Sequence, residues 1–403
     1  MGLLIVNASF VGGLGGARKA VSFSRHLRNR GIAFKLVTDS QSLGKLRLFG
    51  LEPEVVFPVH PTMSASDIYA QVREAMRAVS YDAMVSFGWR TFVPADAVWR
   101  SKPVVIVDGG WPRSINDWPS PFCREVYEKL AAYCLTNWFC DHRLDGLLPG
   151  NVGINFQWIA QPLDEVEIAW HLAVAEYRED GRDHSDREGA PRRILLDMNP
   201  DYIDPRQGTF TAGWLTPGQL DECRGFVSRL LVELDSAKEP LELIMHEEIS
   251  REFAPVRSRC HNLKVTSHKS LPPSHHHRLR VESDLSITRA TRCVGTTQAA
   301  LSQVPTLHAV CPATDDYMGE RSSCRIAERL GIAASVDHEA ECLQDGIIGY
   351  LNSDRARETA RLAQSTALSF WRERGPDFLL ELLGFSSQES PATAGRERYR
   401  WRR

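Results

Sequence analysis

Residues 283–325 concentrate the groups best suited to hold a charged, hydroxyl-rich ligand. Ser283-Asp-Leu-Ser-Ile-Thr-Arg289 is a short apolar strand ending in a guanidinium, and Gly295, Thr296, Thr297 and Gln298 open a helix a few residues later. A glycine lets a phosphate approach the backbone, and the free N–H groups of a first helical turn, with two hydroxyls beside them, bind a diphosphate. Arg289 would add fixed positive charge; its alternative is an ordinary salt bridge. Thr296 or Thr297 alone would serve equally as a helix N-cap. Downstream, Asp315, Asp316 and Glu320 place three carboxylates after the next strand, where they suit the hydroxyls of a sugar or are simply solvated. Both features occur in order at the carboxyl ends of consecutive strands, where open α/β sheets bind ligands, and that order weighs toward a site.

A second glycine-rich turn, Val11-Gly-Gly-Leu-Gly-Gly16, lies between the first strand and the first helix. Gly12, Gly13, Gly15 and Gly16 either hold an anion or a sugar against backbone N–H groups or make a tight turn for helix–sheet packing. Asp39 ends the second strand where a nicotinamide-binding fold places its ribose acid, but the G-x-G-x-x-G fingerprint fails at Arg18. Asp108, ending the strand Pro103–Val107 before Gly109 and Gly110, is a candidate general base or a turn-forming aspartate. Trp111 and Trp118 follow in a Pro-rich stretch and would stack on an acceptor ring or pack a cleft wall. The run Pro272-Pro-Ser-His-His-His-Arg278 suggests metal binding, but adjacent loop histidines point in different directions and no carboxylate partner is evident. We therefore expect a solvated loop there and assign no metal ligands. No D-x-D metal motif is evident.

The elements that must position these groups follow from composition and periodicity. The 403 residues, 43% hydrophobic and 25% charged, fit a two-domain globular protein rather than a disordered chain. A net charge of −3 gives no basic field that would point to nucleic acid. No apolar run is long enough to cross a bilayer, and MGLLIVNASF reads as a first buried strand rather than a signal peptide. Nine scattered cysteines without a C-x-x-C argue against a disulfide framework, so a reducing cytoplasm is expected.

Strands alternate with amphipathic helices along both halves, predicting an α/β fold with parallel sheets. In the first half the strands are Leu3–Val6, Phe34–Asp39, Asp82–Phe87 and Pro103–Val107, with helices at 17–30 and 67–80. In the second they are Ile194–Asp197, Leu241–Met245, Leu263–Thr266, Leu285–Thr288 and Thr306–Val310, with a helix at 217–234. The polar run between the halves lacks apolar periodicity and predicts an exposed connection. We divide the chain into a first domain at 1–163, a polar linker or insertion at 164–192, and a second domain at 193–353. Terminal helices at 354–385 and a disordered tail at 386–403 complete it.

At these residues the chain resembles GT-B-fold glycosyltransferases, in particular the lipid-II-forming N-acetylglucosaminyltransferases and the antibiotic-type enzymes. The family's "D-x-x-I-[ST]-R" segment is matched by Asp284-Leu-Ser-Ile-Thr-Arg289, and its diphosphate-holding helix start by Gly295, Thr296 and Thr297. The resemblance implies two facing Rossmann-like domains with a cleft between them, the second holding a nucleotide-diphosphate sugar. The family's ribose-binding acid is Gln298 here, and its acid–amide pair for the donor sugar falls on Asp315, Asp316 or Glu320, without the amide. The segment before the D-x-x-I strand meets the nucleotide base in the family, which points to His268. In the first half the histidine often found after the glycines is Ala17, and Asp108 would face the cleft.

The resemblance implies transfer of a sugar to a small-molecule acceptor, inverting and metal-independent, without a resident cofactor, in a natural-product setting. Two rivals share the fold or its ligand. One is a nucleotide-sugar epimerase or hydrolase; the other is a catalytically silent nucleotide-binding helper, since Ala17 and Gln298 replace residues that active relatives use.

Overall fold

The computed structural model describes residues 2–8, 15–60, 62–88, 97–98, 101–108, 121–145, 153–179, 190–204, 216–269, 273–289, 294–311 and 320–385. The first half contains β1 (Leu3–Ala8), α1 (Gly15–Asn29), β2 (Phe34–Asp39), α2 (Leu43–Leu48), β3 (Val55–Phe57) and α3 (Ala65–Arg77). It continues through β4 (Ala83–Gly88), β5 (Val104–Asp108), α4 (Pro121–Glu128), β6 (Ala132–Asn137), α5 (His142–Asp145), β7 (Phe156–Ala160) and α6 (Glu165–Glu179).

The second half has β8 (Arg192–Asp197), α7 (Pro217–Asp235), β9 (Leu241–His246), α8 (Glu247–Glu252), α9 (Ala254–Arg257), β10 (Leu263–His268) and α10 (Pro273–Val281). Then follow β11 (Leu285–Thr288), α11 (Val294–Leu301), β12 (Thr306–Val310), α12 (Glu320–Arg329), β13 (Ala334–Asp337), α13 (Leu343–Leu351), α14 (Asp354–Arg374) and α15 (Pro376–Leu382).

These strands form two parallel sheets, ordered β3-β2-β1-β4-β5-β6-β7 and β10-β9-β8-β11-β12-β13. The order reverses beside β1 in one sheet and beside β8 in the other, so each sheet has a topological switch point. Two such sheets flanked by helices are two Rossmann-like domains, the architecture that the resemblance implies.

Parallel sheets are covered on both faces, which explains the unbroken apolar runs. In β1, Leu4 and Val6 join one core cluster while Leu3 and Ile5 join another on the opposite face, and all four are buried. The second sheet packs Ile194, Leu196, Leu243, Met245 and Ile287 against Phe226, Leu230 and Leu234 of α7. That helix begins at a capping box, with Thr216 and Gln219 bonding each other's backbone N–H and proline at its first position.

The chain returns to the first sheet through α14. Ala356, Ala360, Ala363 and Ala367 are buried on it, and these small residues let it lie against α11. Trp371 then donates its indole N–H to the Leu163 carbonyl at 2.9 Å. Leu379, Leu380 and Leu383 pack into the cluster of Leu3 and Ile5.

Two local expectations are corrected. Residues 165–179, expected within an exposed polar connection, are the helix α6, with Ile168, His171, Val174 and Ala175 buried. The polarity that hid its periodicity belongs to residues that make interdomain hydrogen bonds. The histidine run is not a solvated loop: Pro273–Val281 is helix α10, and His277 is buried on its inner face. Residues 180–189 of the proposed linker, the tail 386–403 and the loop residues Gly12, Gly13, Trp111, Asp315 and Asp316 lie outside the described residues, and Arg192, placed in the linker, starts β8.

Candidate functional site

At the second switch point β8 ends in Asp197, paired in register with Thr288 of β11. Helix α11 starts at Val294, so Gly295, Thr296 and Thr297 form its first turn. A Cβ on Gly295 would collide with the Asp197 carboxylate and come within 2.8 Å of Arg280 Nη2. Glycine is therefore required by the close approach of the helix to an ion pair. Arg280, 2% exposed, donates from Nη2 to Asp197 Oδ2 at 2.5 Å and from Nη1 to Gln298 Oε1 at 2.8 Å.

From Gln298 the polar chain crosses to the first half. Its amide donates to Glu167 Oε1 at 2.6 Å and lies 2.9 Å from His277 Nε2. Glu167, on α6, also accepts from Arg18 and, at 2.9 Å through Oε2, from Ser22. Arg18 and Ser22 lie on α1, the helix that follows the glycine-rich turn. Arg18 of α1 and Gln298 of α11 thus meet on one carboxylate, and the helices that carry them follow β1 and β11 in the chain. Burial depresses the Arg18 guanidinium, and Glu167 is the main charge opposing that cost.

Asp108 terminates β5 at the carboxyl end of the first sheet, half-buried. Tyr133 donates its hydroxyl to Asp108 Oδ2 at 2.7 Å, which fixes the carboxylate. Thr136 donates to the Asp108 carbonyl at 3.2 Å and receives Lys19 Nζ at 3.0 Å. Gly15 opens α1 and Gly16 follows it within the first turn.

The remaining candidates are placed less uniformly. Thr296 and Thr297 are each 3% exposed, so their side chains face inward from the first turn of α11. Gln298, expected to meet a ribose, is wholly buried, with its amide bonded to Arg280, Glu167 and His277. Arg289 is buried, donates to the Ala309 carbonyl and stands 5.6 Å from the Tyr202 ring. His268 ends β10, half-buried, with Nδ1 2.9 Å from the Lys269 carbonyl and its ring edge-on to His246. Glu320 begins α12. Asp39 is wholly buried, accepts from the Ser42 N–H at 2.8 Å and has its carboxyl pushed up by burial. It holds a turn rather than a ribose.

Glu167 and Arg280 carry no motif in the sequence, Arg18 marks only a broken fingerprint, and His277 lies in the histidine run expected as a solvated loop. The only signal was the mixed polarity of the 165–179 helix and of the histidine run. Glu167, His171 and His277 have ligand atoms within 4.8 Å of one another, the spacing of a metal site. His171 Nδ1 meets Ser302 Oγ at 2.6 Å, and burial, followed by the nearby Arg18 and Arg280 charges, holds its imidazole well below its usual range. However, the Arg18 guanidinium touches both Glu167 and His277, and the Gln298 amide reaches the same two groups. Cationic and amide donors already fill that space, so the residues present do not fit a divalent ion in this arrangement.

No family model and no curated protein matches the sequence. Solved structures do match over nearly the whole chain. MurG of Acinetobacter baumannii is 13% identical, with 95% of this chain and 99% of that chain covered and a TM-score of 0.59. The glycotransferase of kitacinnamycin is 12% identical, with 94% and 98% covered and a TM-score of 0.60. The UDP-GlcNAc 2-epimerase from Neisseria meningitidis bound to UDP-GlcNAc is 11% identical, with 96% and 100% covered and a TM-score of 0.56. At these identities the likeness establishes the fold. Among the described residues, no helix is long and apolar enough to cross a membrane.

Proposed function

We propose that this protein transfers a sugar from a nucleotide-diphosphate sugar to a small-molecule acceptor with inversion at the anomeric carbon. The observation that carries the reading is the junction in which Arg18 of α1 and Gln298 of α11, from the helices that follow β1 and β11 at the two switch-point crevices, share the Glu167 carboxylate. In a parallel α/β sheet such a crevice is the ligand position, and two joined in this way accommodate a donor and an acceptor.

In this reading the donor diphosphate lies at the amino end of α11. The helix dipole and the N–H groups of its first turn would stabilise charge developing on the leaving group. Asp108, steadied by Tyr133, takes the proton from the acceptor hydroxyl. The acceptor oxygen forms its bond to the anomeric carbon as the bond to the diphosphate oxygen breaks, and the nucleoside diphosphate leaves with the electron pair. A soluble acceptor of the natural-product kind is favoured by analogy with the kitacinnamycin glycotransferase.

The whole-chain likeness to a UDP-GlcNAc 2-epimerase supports a second reading, in which the donor sugar is epimerised without an acceptor. Calorimetric titration with UDP, dTDP, GDP and ADP, followed by product analysis with the matching sugar nucleotide alone, separates the two. Selective diphosphate binding without donor-only turnover supports transfer. Epimerised sugar in the absence of acceptor overturns it, and failure to bind any diphosphate removes both readings.

A further inference from the structure

At the amino ends of β8, β11 and β12, the end of α6, the second sheet and α14 line an open cavity of about 560 Å³. Four guanidinium groups line it: Arg178 from the last turn of α6, Arg192 from the start of β8, and Arg357 and Arg361 from α14. Asp284 is the one carboxylate among the described lining residues. Its Oδ2 accepts the Arg193 backbone N–H at 2.7 Å and stays 3.8 Å from Arg192 Nε. Arg192 Nε is buried and has no hydrogen-bond acceptor. Arg357 and Arg361 are four residues apart on one face of α14. Apolar side chains, Leu351 among them, complete the wall.

We propose that this cavity binds an organic anion carrying phosphate groups. Planar guanidinium forks take phosphate oxygens in pairs, and the apolar wall accommodates a carbon skeleton. The volume falls within the range of small-molecule sites, about 300–1,000 Å³. The position adds a consequence. The cavity is lined by the end of α6, the start of β8 and α14, elements that belong to the two connections between the sheets. An anion gripped by Arg178, Arg192 and Arg357 ties those connections together, so it acts on the orientation of the two domains rather than on the chemistry in the cleft. The inference is independent of the transferase reading.

Fructose 1,6-bisphosphate and inorganic pyrophosphate are the probes, titrated calorimetrically into the full chain at constant ionic strength. Both Arg357 and Arg361 are exposed, so Arg357→Ala with Arg361→Ala leaves the core intact. The expected result is saturable binding by the unaltered chain, weakened at least tenfold in that double variant. Arg224→Ala with Arg251→Ala, elsewhere on the same domain, should keep the original affinity. Absence of saturable binding for both probes overturns the proposal, as does equal weakening in the two double variants.

Discussion

The side-chain amide of Gln298 donates to the Glu167 carboxylate at 2.6 Å, joining the two halves of the chain by a part-buried hydrogen bond between residues 131 positions apart in sequence. Glu167 is the pivot of that junction, because it also takes Arg18 and Ser22 from α1. Arg18 and Glu167 side chains are 12% and 10% exposed, so their charges are shielded from water and depend on each other. Breaking such a pair leaves a buried charge without its counter-ion.

Glu167→Ala should therefore destabilise the protein by about 3 kcal/mol, and Glu167→Gln by less, since the amide keeps the hydrogen-bonding shape. Urea unfolding followed by circular dichroism measures both. Equal stability of the Ala variant and the parent would show that the junction carries no net energy.

His26 predicts a pH dependence. It is 1% exposed, with Nδ1 2.7 Å from Glu165 and Nε2 3.0 Å from Asp377, so α1, α6 and α15 meet at one ring. Burial opposes its charge, but the hydrogen bonds to Asp377 and Glu165 outweigh that and raise its pKa. The stability it contributes is complete below the unfolded value of about 6.5 and fades as pH rises through the higher folded value. In acid the sign reverses. Burial of Glu165 is outweighed by its bond to His26, which pulls the carboxyl down to about 2, so its contribution is lost as pH falls toward that value. Melting temperature should decline from neutral to mildly alkaline pH, and His26→Gln should flatten that decline. An unchanged slope in the variant would disprove the assignment.

Gly295→Ala should cost about 1–3 kcal/mol, because the new methyl group must displace the Asp197–Arg280 pair. In the transferase reading the same change weakens nucleoside diphosphate binding. Thermal unfolding and calorimetry read the two effects separately, and a melting temperature equal to the parent's would contradict the packing argument.

Thr296→Ala with Thr297→Ala should weaken diphosphate binding by about 1–3 kcal/mol if both hydroxyls serve the phosphates. Unchanged affinity in a folded double variant would move the donor site away from the first turn of α11.

Asp108→Asn should lower turnover by about 10²–10⁴-fold while leaving diphosphate affinity unchanged. Tyr133→Phe, which removes only the hydroxyl that steadies the carboxylate, should have a smaller effect. Full activity in the Asn variant would transfer the general-base role to another group.

The alternation of apolar runs and amphipathic helices sufficed for the α/β class and for most of the strands. Phe34–Asp39 matches its expected bounds because a strand buried on both faces has little freedom in composition. The strands Ala132–Asn137 and Phe156–Ala160 escaped notice, as did the short Val55–Phe57, whose first two side chains are half-buried and exposed. Polar and aromatic residues break the apolar run in the first two, and the third is only three residues long. The switch-point glycine was legible at Gly295, since few other residues tolerate so close an approach.

What the sequence could not determine was which polar residues meet across the two domains. Arg18, Glu167, His277, Gln298 and Arg280 look like surface residues of amphipathic segments, because charge on one helix face ordinarily means solvent. Only the tertiary arrangement turns those faces inward. Packing α1, α6, α10 and α11 together removes water from all of them at once, and each buried charge or amide must then find its partner on a distant segment. The fold class follows from local periodicity, whereas the contents of the junction follow from long-range burial, for which no local pattern is a substitute.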